Sequence, residues 1–264
     1  MKIGFIGLGN MARAMIGGML GKQIVTREDI IGSAKTAATL QAVREKYGIE
    51  TMADNRTVAH CADILILAVK PQFFGEVIPQ IRDVVDNSKL IISIAAGKTI
   101  ADIEALFEKD VKVVRCMPNT PALVGAGCSG ICRNAGVSDE EMTKCRELME
   151  SFGLAEEVPE RLINAVAGVS GCSPAYVFLF MEALADGAVA AGMPRKQAYA
   201  FAAQAVLGSA KLMLETGMHP GELKDMVCSP AGTTIEGVRM LEERGFRGAV
   251  MDAVRATVEK AENM

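Results

Sequence analysis

Residues Gly7-Leu8-Gly9-Asn10-Met11-Ala12 follow directly on the apolar run Ile3–Ile6 and open a helix-like run to Leu20. That order of strand, glycine turn and helix suits a dinucleotide diphosphate. Gly7 permits the tight turn, and Gly9 removes the side chain where backbone must approach phosphate. Ala12 keeps helix and strand close, and the new helix aims unpaired N–H groups and the positive end of its dipole at the anion. After the second apolar run, 29–33, stand Ser33, Ala34, Lys35 and Thr36. A site for unphosphorylated ribose places Asp or Glu there to hold the 2′-hydroxyl. Two hydroxyls and a cation instead suit a 2′-phosphate, so NADPH is the expected cofactor, with NADH as the weaker alternative. The same two hydroxyls also suit plain capping of the next helix.

Further residues at strand ends could do chemistry. Lys70 precedes Pro71 at a helix start, where the dipole disfavours a cation, and an exposed Lys at a strand end is also commonplace. Met117-Pro118-Asn119-Thr120-Pro121 is stiffened by two prolines and could offer Asn119 to a ribose or a nicotinamide amide, or serve as a connector. Cys228-Ser-Pro-Ala-Gly-Thr-Thr-Ile235 can turn backbone N–H groups and hydroxyls toward one spot, a seat for a carboxylate. Thr233 and Thr234 would equally serve as an ordinary hydroxyl cap.

Composition excludes several classes of function. The net charge of −4 has both signs interspersed, so no phosphate-tracking basic surface for nucleic acid is expected. The seven cysteines show no CxxC pairing and several sit in apolar runs, which fits buried thiols in a reducing cytoplasm and no metal site. With only two histidines, His60 and His219, a relay through His to a Ser or Cys nucleophile is not expected. No run is expected to span a membrane: the longest, Ala175–Met193, is interrupted by Glu182 and Asp186.

Two kinds of element must position these residues. Up to residue 160, apolar runs (2–6, 29–33, 63–69, 90–94, 111–117) alternate with amphipathic stretches (11–21, 36–47, 55–61, 71–85, 99–108). Ile64–Val69 and Leu90–Ile94 are apolar at nearly every position, as in parallel strands covered on both faces. Thr99-x-x-Asp102 and Ser138-x-x-Glu141 read as capping boxes. A further strand pair at 125–133 and 154–158 flanks a helix at 139–151. The reading is an α/β, Rossmann-type, N-terminal parallel-sheet domain over 1–160, whose ligands meet the carboxyl ends of its strands. Residues 161–264 read as all-helical, with runs near 161–167, 174–192, 195–216, 220–227, 233–244 and 246–262. Because 174–192 lacks a polar face, it is expected to be buried on all sides by a second copy, giving a homodimer through the helical domain.

These motifs together resemble the pyrroline-5-carboxylate reductase family from end to end. The resemblance rests on Gly4-Phe-Ile-Gly-Leu-Gly-Asn-Met-Ala12, Leu67-Ala-Val-Lys-Pro71, Met117-Pro-Asn-Thr-Pro121, Gly168-Val-Ser-Gly-Cys-Ser-Pro-Ala-Tyr176 and Ala185-Asp-Gly187. Its most specific part is Leu223-Lys-Asp-x-x-x-Ser-Pro-x-Gly-Thr-Thr-Ile235, with Gly245-Phe-Arg247 behind it. It implies reduction of the cyclic imine 1-pyrroline-5-carboxylate to L-proline by direct hydride transfer from NAD(P)H. Family cofactor contacts would fall on Gly7, Gly9, Asn10, Met11, Ser33, Asn55, Ala68, Lys70, Ala96 and Asn119. Leu8, Lys35, Thr36 and Val69 join them by position. Substrate contacts would fall on Ser229, Gly232, Thr233 and Thr234. The Thr234 hydroxyl is the candidate catalytic group at the ring nitrogen, as proton donor or as orienting group. Cys172 and Ala231 depart from the small Ser or Gly common in the family. β-Hydroxyacid dehydrogenases share the two-part plan, but the glycine segment 168–171 here leads to Ser173-Pro174-Ala175 with no catalytic Lys. A protein that only senses the nucleotide would have no use for a carboxylate seat at 229–234.

Overall fold

A computed structural model describes residues 1–263. The N-terminal part is built from β1 (Ile3–Ile6), α1 (Asn10–Gly21), β2 (Ile30–Ser33), α2 (Ala37–Tyr47), β3 (Glu50–Met52), α3 (Asn55–Cys61), β4 (Ile64–Leu67) and α4 (Phe74–Ile81). It continues through β5 (Leu90–Ser93), α5 (Ile100–Phe107), β6 (Lys112–Met117), β7 (Gly127–Arg133), α6 (Asp139–Glu150) and β8 (Gly153–Glu157). The strands form one eight-stranded sheet in the order β3-β2-β1-β4-β5-β6-β7-β8. Ile3 pairs in register with Ile30 on one side and Ile64 on the other.

The sheet is buried on both faces, as its apolar strands require. Phe5, Ile64, Ile66 and Ile92 enter one core with Met15, Ile16 and Met149. Ile6, Leu65, Leu67 and Ile91 enter the other, with Phe74, Ile78 and Phe107. Alternate residues of a strand thus supply opposite cores, each closed by helices.

Three features differ from expectation. β3 lies on an edge and has only Thr51 buried, so it carries no apolar run by which to be recognised. The helix expected at 71–85 begins as a tight 3-10 turn, Pro71–Phe73, and α4 ends at Ile81. The sheet is parallel through β6, but β7 runs antiparallel to β6, with Arg115 opposite Cys132, and β8 lies parallel to β7. The two capping boxes form as read. Thr99 Oγ1 accepts from Asp102 N at 3.0 Å while Asp102 accepts from Thr99 N at 2.9 Å, and Ser138 and Glu141 do the same.

The chain divides into two compact units, Met1–Cys172 together with the last turns from Thr257, and Ser173–Ala256. The first unit runs past residue 160 because Ile163 of α7 (Ile163–Val166) belongs to its core and Val166 packs over Gly130 of β7. A π-helical turn, Ala167–Gly171, follows. The second unit holds α8 (Ser173–Ala190), α9 (Arg195–Thr216), α10 (Pro220–Val227) and α11 (Thr233–Glu243), with most of α12 (Phe246–Glu262). α8 packs on α9, and the rings of Phe180 and Phe246 meet at 6.0 Å.

α8 is not enclosed within the single chain: only Ala185 is buried, while Phe178 and Leu179 are 65% and 67% exposed. Contrary to expectation, the helical run Glu160–Ala190 is long and apolar enough to cross a membrane by length and composition, with mean hydropathy 1.5 and 17% of its apolar window buried. The π-turn occupies residues 167–171, most of the gap between the helical runs expected at 161–167 and 174–192.

Candidate functional site

In an open parallel sheet, ligands settle where the strand order reverses, beyond the strands' carboxyl ends. Here that point lies between β1 and β4, neighbours with Ile6 opposite Leu67. Gly7 and Ala68 therefore stand side by side. Gly7 has φ +97°, and a Cβ there would lie 2.9 Å from the Ala68 carbonyl carbon and oxygen. Only glycine fits. Gly9 is the N-cap of α1, with no side-chain cap, and a Cβ placed on it meets nothing within 4 Å. The first amides of α1 are therefore open to an anion approaching over Gly9.

A cavity of about 490 Å³ lies over this turn. Of the expected residues, it gathers Gly7, Leu8, Gly9, Asn10, Lys35, Thr36, Ala68, Val69 and Lys70. It also takes in Arg13, Thr39, Gln72, Phe73 and Glu76, which the sequence reading missed. Helical spacing was the available signal: Arg13 lies one turn beyond Asn10, and Thr39 one turn beyond Thr36. Arg13 Nε donates to the Leu8 carbonyl at 3.0 Å, which holds a guanidinium at the cavity wall. Lys35 Nζ lies 5.9 Å from the centre of the Phe73 ring, pairing a cation with an apolar platform. Thr36 caps α2, accepting from Thr39 N at 3.3 Å, and still lines the cavity. The capping and ligand readings of Thr36 are thus compatible. A diphosphate with a phosphorylated ribose fits this donor set, which is glycine backbone, open helix amides, a guanidinium, two ammonium groups and hydroxyls.

Met11, Ser33, Asn55, Ala96 and Asn119 do not line this cavity. Ser33 is fully buried: its hydroxyl donates to Asn55 Oδ1 at 2.7 Å, and its carbonyl accepts from Gly7 N at 3.0 Å. Asn119 is buried too. Its Oδ1 accepts from Cys128 N at 2.8 Å and its Nδ2 donates to the Ser170 carbonyl at 3.0 Å. Ala96 follows β5 one strand further along the sheet, and Met11 packs partly into the core.

In the second unit, Ser229–Gly232 is a tight turn closed by Gly232 N donating to Ser229 O at 3.0 Å. Pro230 takes its first corner and Ala231 the second with φ +58°, a left-handed conformation that glycine adopts more readily. A Cβ at Gly232 would collide with Ser229 Oγ, so the glycine lets that hydroxyl sit at the start of α11. Gly232 caps α11 without a side-chain hydrogen bond, and Thr233 and Thr234 are exposed in its first turn. Ser229, Gly232, Thr233 and Thr234 are thus brought together, with open amides beside three hydroxyls.

Among the described residues, no three His, Cys, Asp or Glu side chains stand together as a metal set. Burial pushes the thiol of Cys116 well up, that of Cys132 to about 11 and that of Cys145 to about 12, so none is poised as a thiolate nucleophile.

Comparison with known proteins bears on both units. Residues 160–264 match the family profile of pyrroline-5-carboxylate reductase dimerisation, and residues 2–97 match that of NADP oxidoreductase, coenzyme F420-dependent. The chain is 48% identical over 263 residues to the pyrroline-5-carboxylate reductase of Escherichia coli (strain K12), covering 100% of this chain and 98% of that one. The structure of the reductase from Coxiella burnetii superposes with TM-score 0.93 at 35% identity, covering 99% of this chain and 97% of the other. That of Plasmodium falciparum, solved with NADP bound, gives 0.90 at 33% identity, covering 99% and 97%. The glycine turn at the switch point, the hydroxyl-rich turn before α11 and this similarity along the whole chain place the protein in the pyrroline-5-carboxylate reductase family.

Proposed function

We propose that this protein reduces 1-pyrroline-5-carboxylate to L-proline with NADPH, the closing step of proline biosynthesis. The observation that carries the reading is the cavity over Gly7 and Gly9, whose ribose end offers Lys35 and Thr36 and no acid at the end of β2. NADPH, when bound, supplies the hydride. The glycine turn and the first amides of α1 hold the diphosphate, with Arg13 and Lys70 adding positive charge beside it. Lys35 and Thr36 receive the 2′-phosphate, while Phe73 offers a flat apolar wall.

An imine carbon is electrophilic without a nucleophile or a metal, more so once its nitrogen is protonated. The protein's task is to hold two reactants and to balance charge. The amides and hydroxyls of Ser229–Thr234 seat the substrate carboxylate, and the Thr234 hydroxyl orients the ring nitrogen. A threonine hydroxyl is a weak acid, so the nitrogen's proton arrives with the substrate. The reaction balances: the hydride's electron pair forms the new C–H bond at the imine carbon, the C=N π pair moves to nitrogen as a lone pair beside the proton it retains, and oxidised cofactor is left.

The protein assembles as a homodimer through α8–α12 and works in the cytoplasm. The dimerisation-family match and the exposed Phe178 and Leu179 support this reading, and a second copy covers that face in preference to lipid. Exposed Glu182 and Asp186 put charge on the same helix, Asp186 pairing with Arg195 at the start of α9.

The test is loss of reduced-nicotinamide absorbance on mixing protein, NADPH and the imine, with small hydroxyacids and NADP in parallel. Consumption with the imine alone supports the reading, and turnover of hydroxyacids alone refutes it. Thr234→Ala lowers turnover and leaves NADPH affinity nearly intact; unchanged turnover removes Thr234 from the mechanism.

A further inference from the structure

One side chain in the cavity over Gly7 and Gly9 has the wrong sign for a polyanion. Glu76, in the first turn of α4, lines the same space as Arg13, Lys35 and Lys70 and is the one acid among the described residues that do so. Its carboxylate makes no ion pair among the described residues, so its charge is not cancelled by any of those three cations. The dipole of α4 favours an acid in its first turn. That preference would be met equally by an acid turned away from the cavity, and Glu76 borders it.

Phe73 shows which part of the cavity Glu76 faces. Glu76 lies three residues beyond Phe73, one turn along the same helix face. The Lys35 ammonium lies 5.9 Å from the centre of the Phe73 ring. A cation and an acid therefore both stand beside one aromatic ring that lines the cavity.

The two cofactors bring different charges to that place. A phosphate monoester carries about −1.5 to −2 near pH 7. A plain ribose brings neutral hydroxyls, which can donate to a carboxylate. Lys35 attracts the phosphate and Glu76 repels it. Water screens the repulsion in the empty cavity, but a bound cofactor displaces that water and the charges then act through a lower dielectric. Repulsion depends on the charge and not on how the carboxylate is turned, so it survives rotation of an exposed side chain.

We propose that Glu76 is a specificity-determining residue that moderates the preference for NADPH: it repels the 2′-phosphate that Lys35 attracts, and it accepts from the ribose hydroxyls of NADH. The inference rests on the reading of the cavity as an NADPH site. No acid follows β2, and α4 supplies one to the same cavity.

Calorimetric titration tests this with NADPH, NADH, 2′,5′-ADP and 5′-AMP in wild type, Glu76→Gln, Glu76→Lys and Lys35→Met. Glu76→Gln keeps the size of the side chain and removes its charge. It is expected to raise the NADPH-to-NADH affinity ratio by about three- to tenfold in about 0.1 M salt, the size of one screened charge contact. The ratio of 2′,5′-ADP to 5′-AMP, which differ by the 2′-phosphate, rises with it. Glu76→Lys raises both ratios further, and Lys35→Met lowers them. In about 1 M salt the Debye length falls to about 3 Å and the gain in Glu76→Gln shrinks. Glu76 is exposed, so its variants fold, and thermal midpoints verify it. A ratio that stays or falls in Glu76→Gln, or a gain undiminished by salt, overturns the proposal. If wild type binds NADPH and 2′,5′-ADP while Glu76→Gln leaves the ratio unchanged, the cavity reading stands and the role of Glu76 alone falls. If wild type binds neither, both fall. Because binding alone is measured, failure to turn over the imine would refute the proposed reaction and leave the role of Glu76 decided by the same ratios.

Discussion

Asn119, at the end of β6, donates to the carbonyl of Ser170 in the π-turn, 51 residues on, at 3.0 Å. Its oxygen meanwhile accepts from Cys128 N, where β7 begins. One buried carboxamide thus ties the proline-bracketed loop to the strand that follows it and to the π-turn. Asn119→Ala leaves a backbone N–H and a carbonyl without their partner and is expected to cost about 2 kcal/mol. Urea unfolding measures it; a midpoint unchanged from wild type would mean that water replaces both bonds.

Gly7 and Gly9 separate stability from ligand binding. Gly7→Ala forces a Cβ against the Ala68 carbonyl at positive φ, so both thermal midpoint and NADPH affinity fall. Gly9→Ala meets nothing within 4 Å in the protein, so its midpoint holds while NADPH affinity drops at least tenfold, by roughly 1.4 kcal/mol or more. Calorimetry with and without NADPH distinguishes them. Equal affinity in Gly9→Ala and wild type would place the diphosphate elsewhere.

The start of α5 carries a pH signature. The Asp102 carboxyl is held below its ordinary range, first by the Thr99 backbone N–H and then by the Thr99 hydroxyl. A carboxyl whose folded pKa is depressed stabilises the fold above its unfolded pKa and loses that contribution as pH falls toward the folded value. The loss therefore begins below about pH 4. Asp102→Asn is expected to lower stability at pH 7 and to flatten the decline between about pH 4 and pH 3 relative to wild type. Parallel urea titrations at pH 7, 4 and 3 measure both; identical slopes in the two proteins would remove Asp102 from the acid response.

The exposed face of α8 predicts an assembly effect. Leu179→Asp puts a charge among side chains that a second copy is proposed to cover, and an unpaired buried charge is costly. Light scattering is expected to shift from the mass of an oligomer toward that of a single chain. A variant with the wild-type mass would assign the interface to another surface.

The sequence by itself determined whatever depends on a residue and its near neighbours in the chain. The glycine turn followed from spacing, because backbone approach needs a missing side chain wherever the turn sits. β4 and β5 were legible because strands covered on both faces must be apolar at nearly every position. The boxes at Thr99 and Ser138 were legible because a cap bonds within three residues. Tertiary structure alone decided relationships between distant segments. β3 was invisible because an edge strand with one buried residue shows no periodic apolar signal. The reversal of β7 depends on pairing, which residue patterns do not encode. Lys35 above Phe73, and Ser33 joined through Asn55 to Gln80, unite side chains from successive strand ends and helices. Each segment carries its own residue in sequence, but only the packing of those segments on one sheet sets which residue meets which.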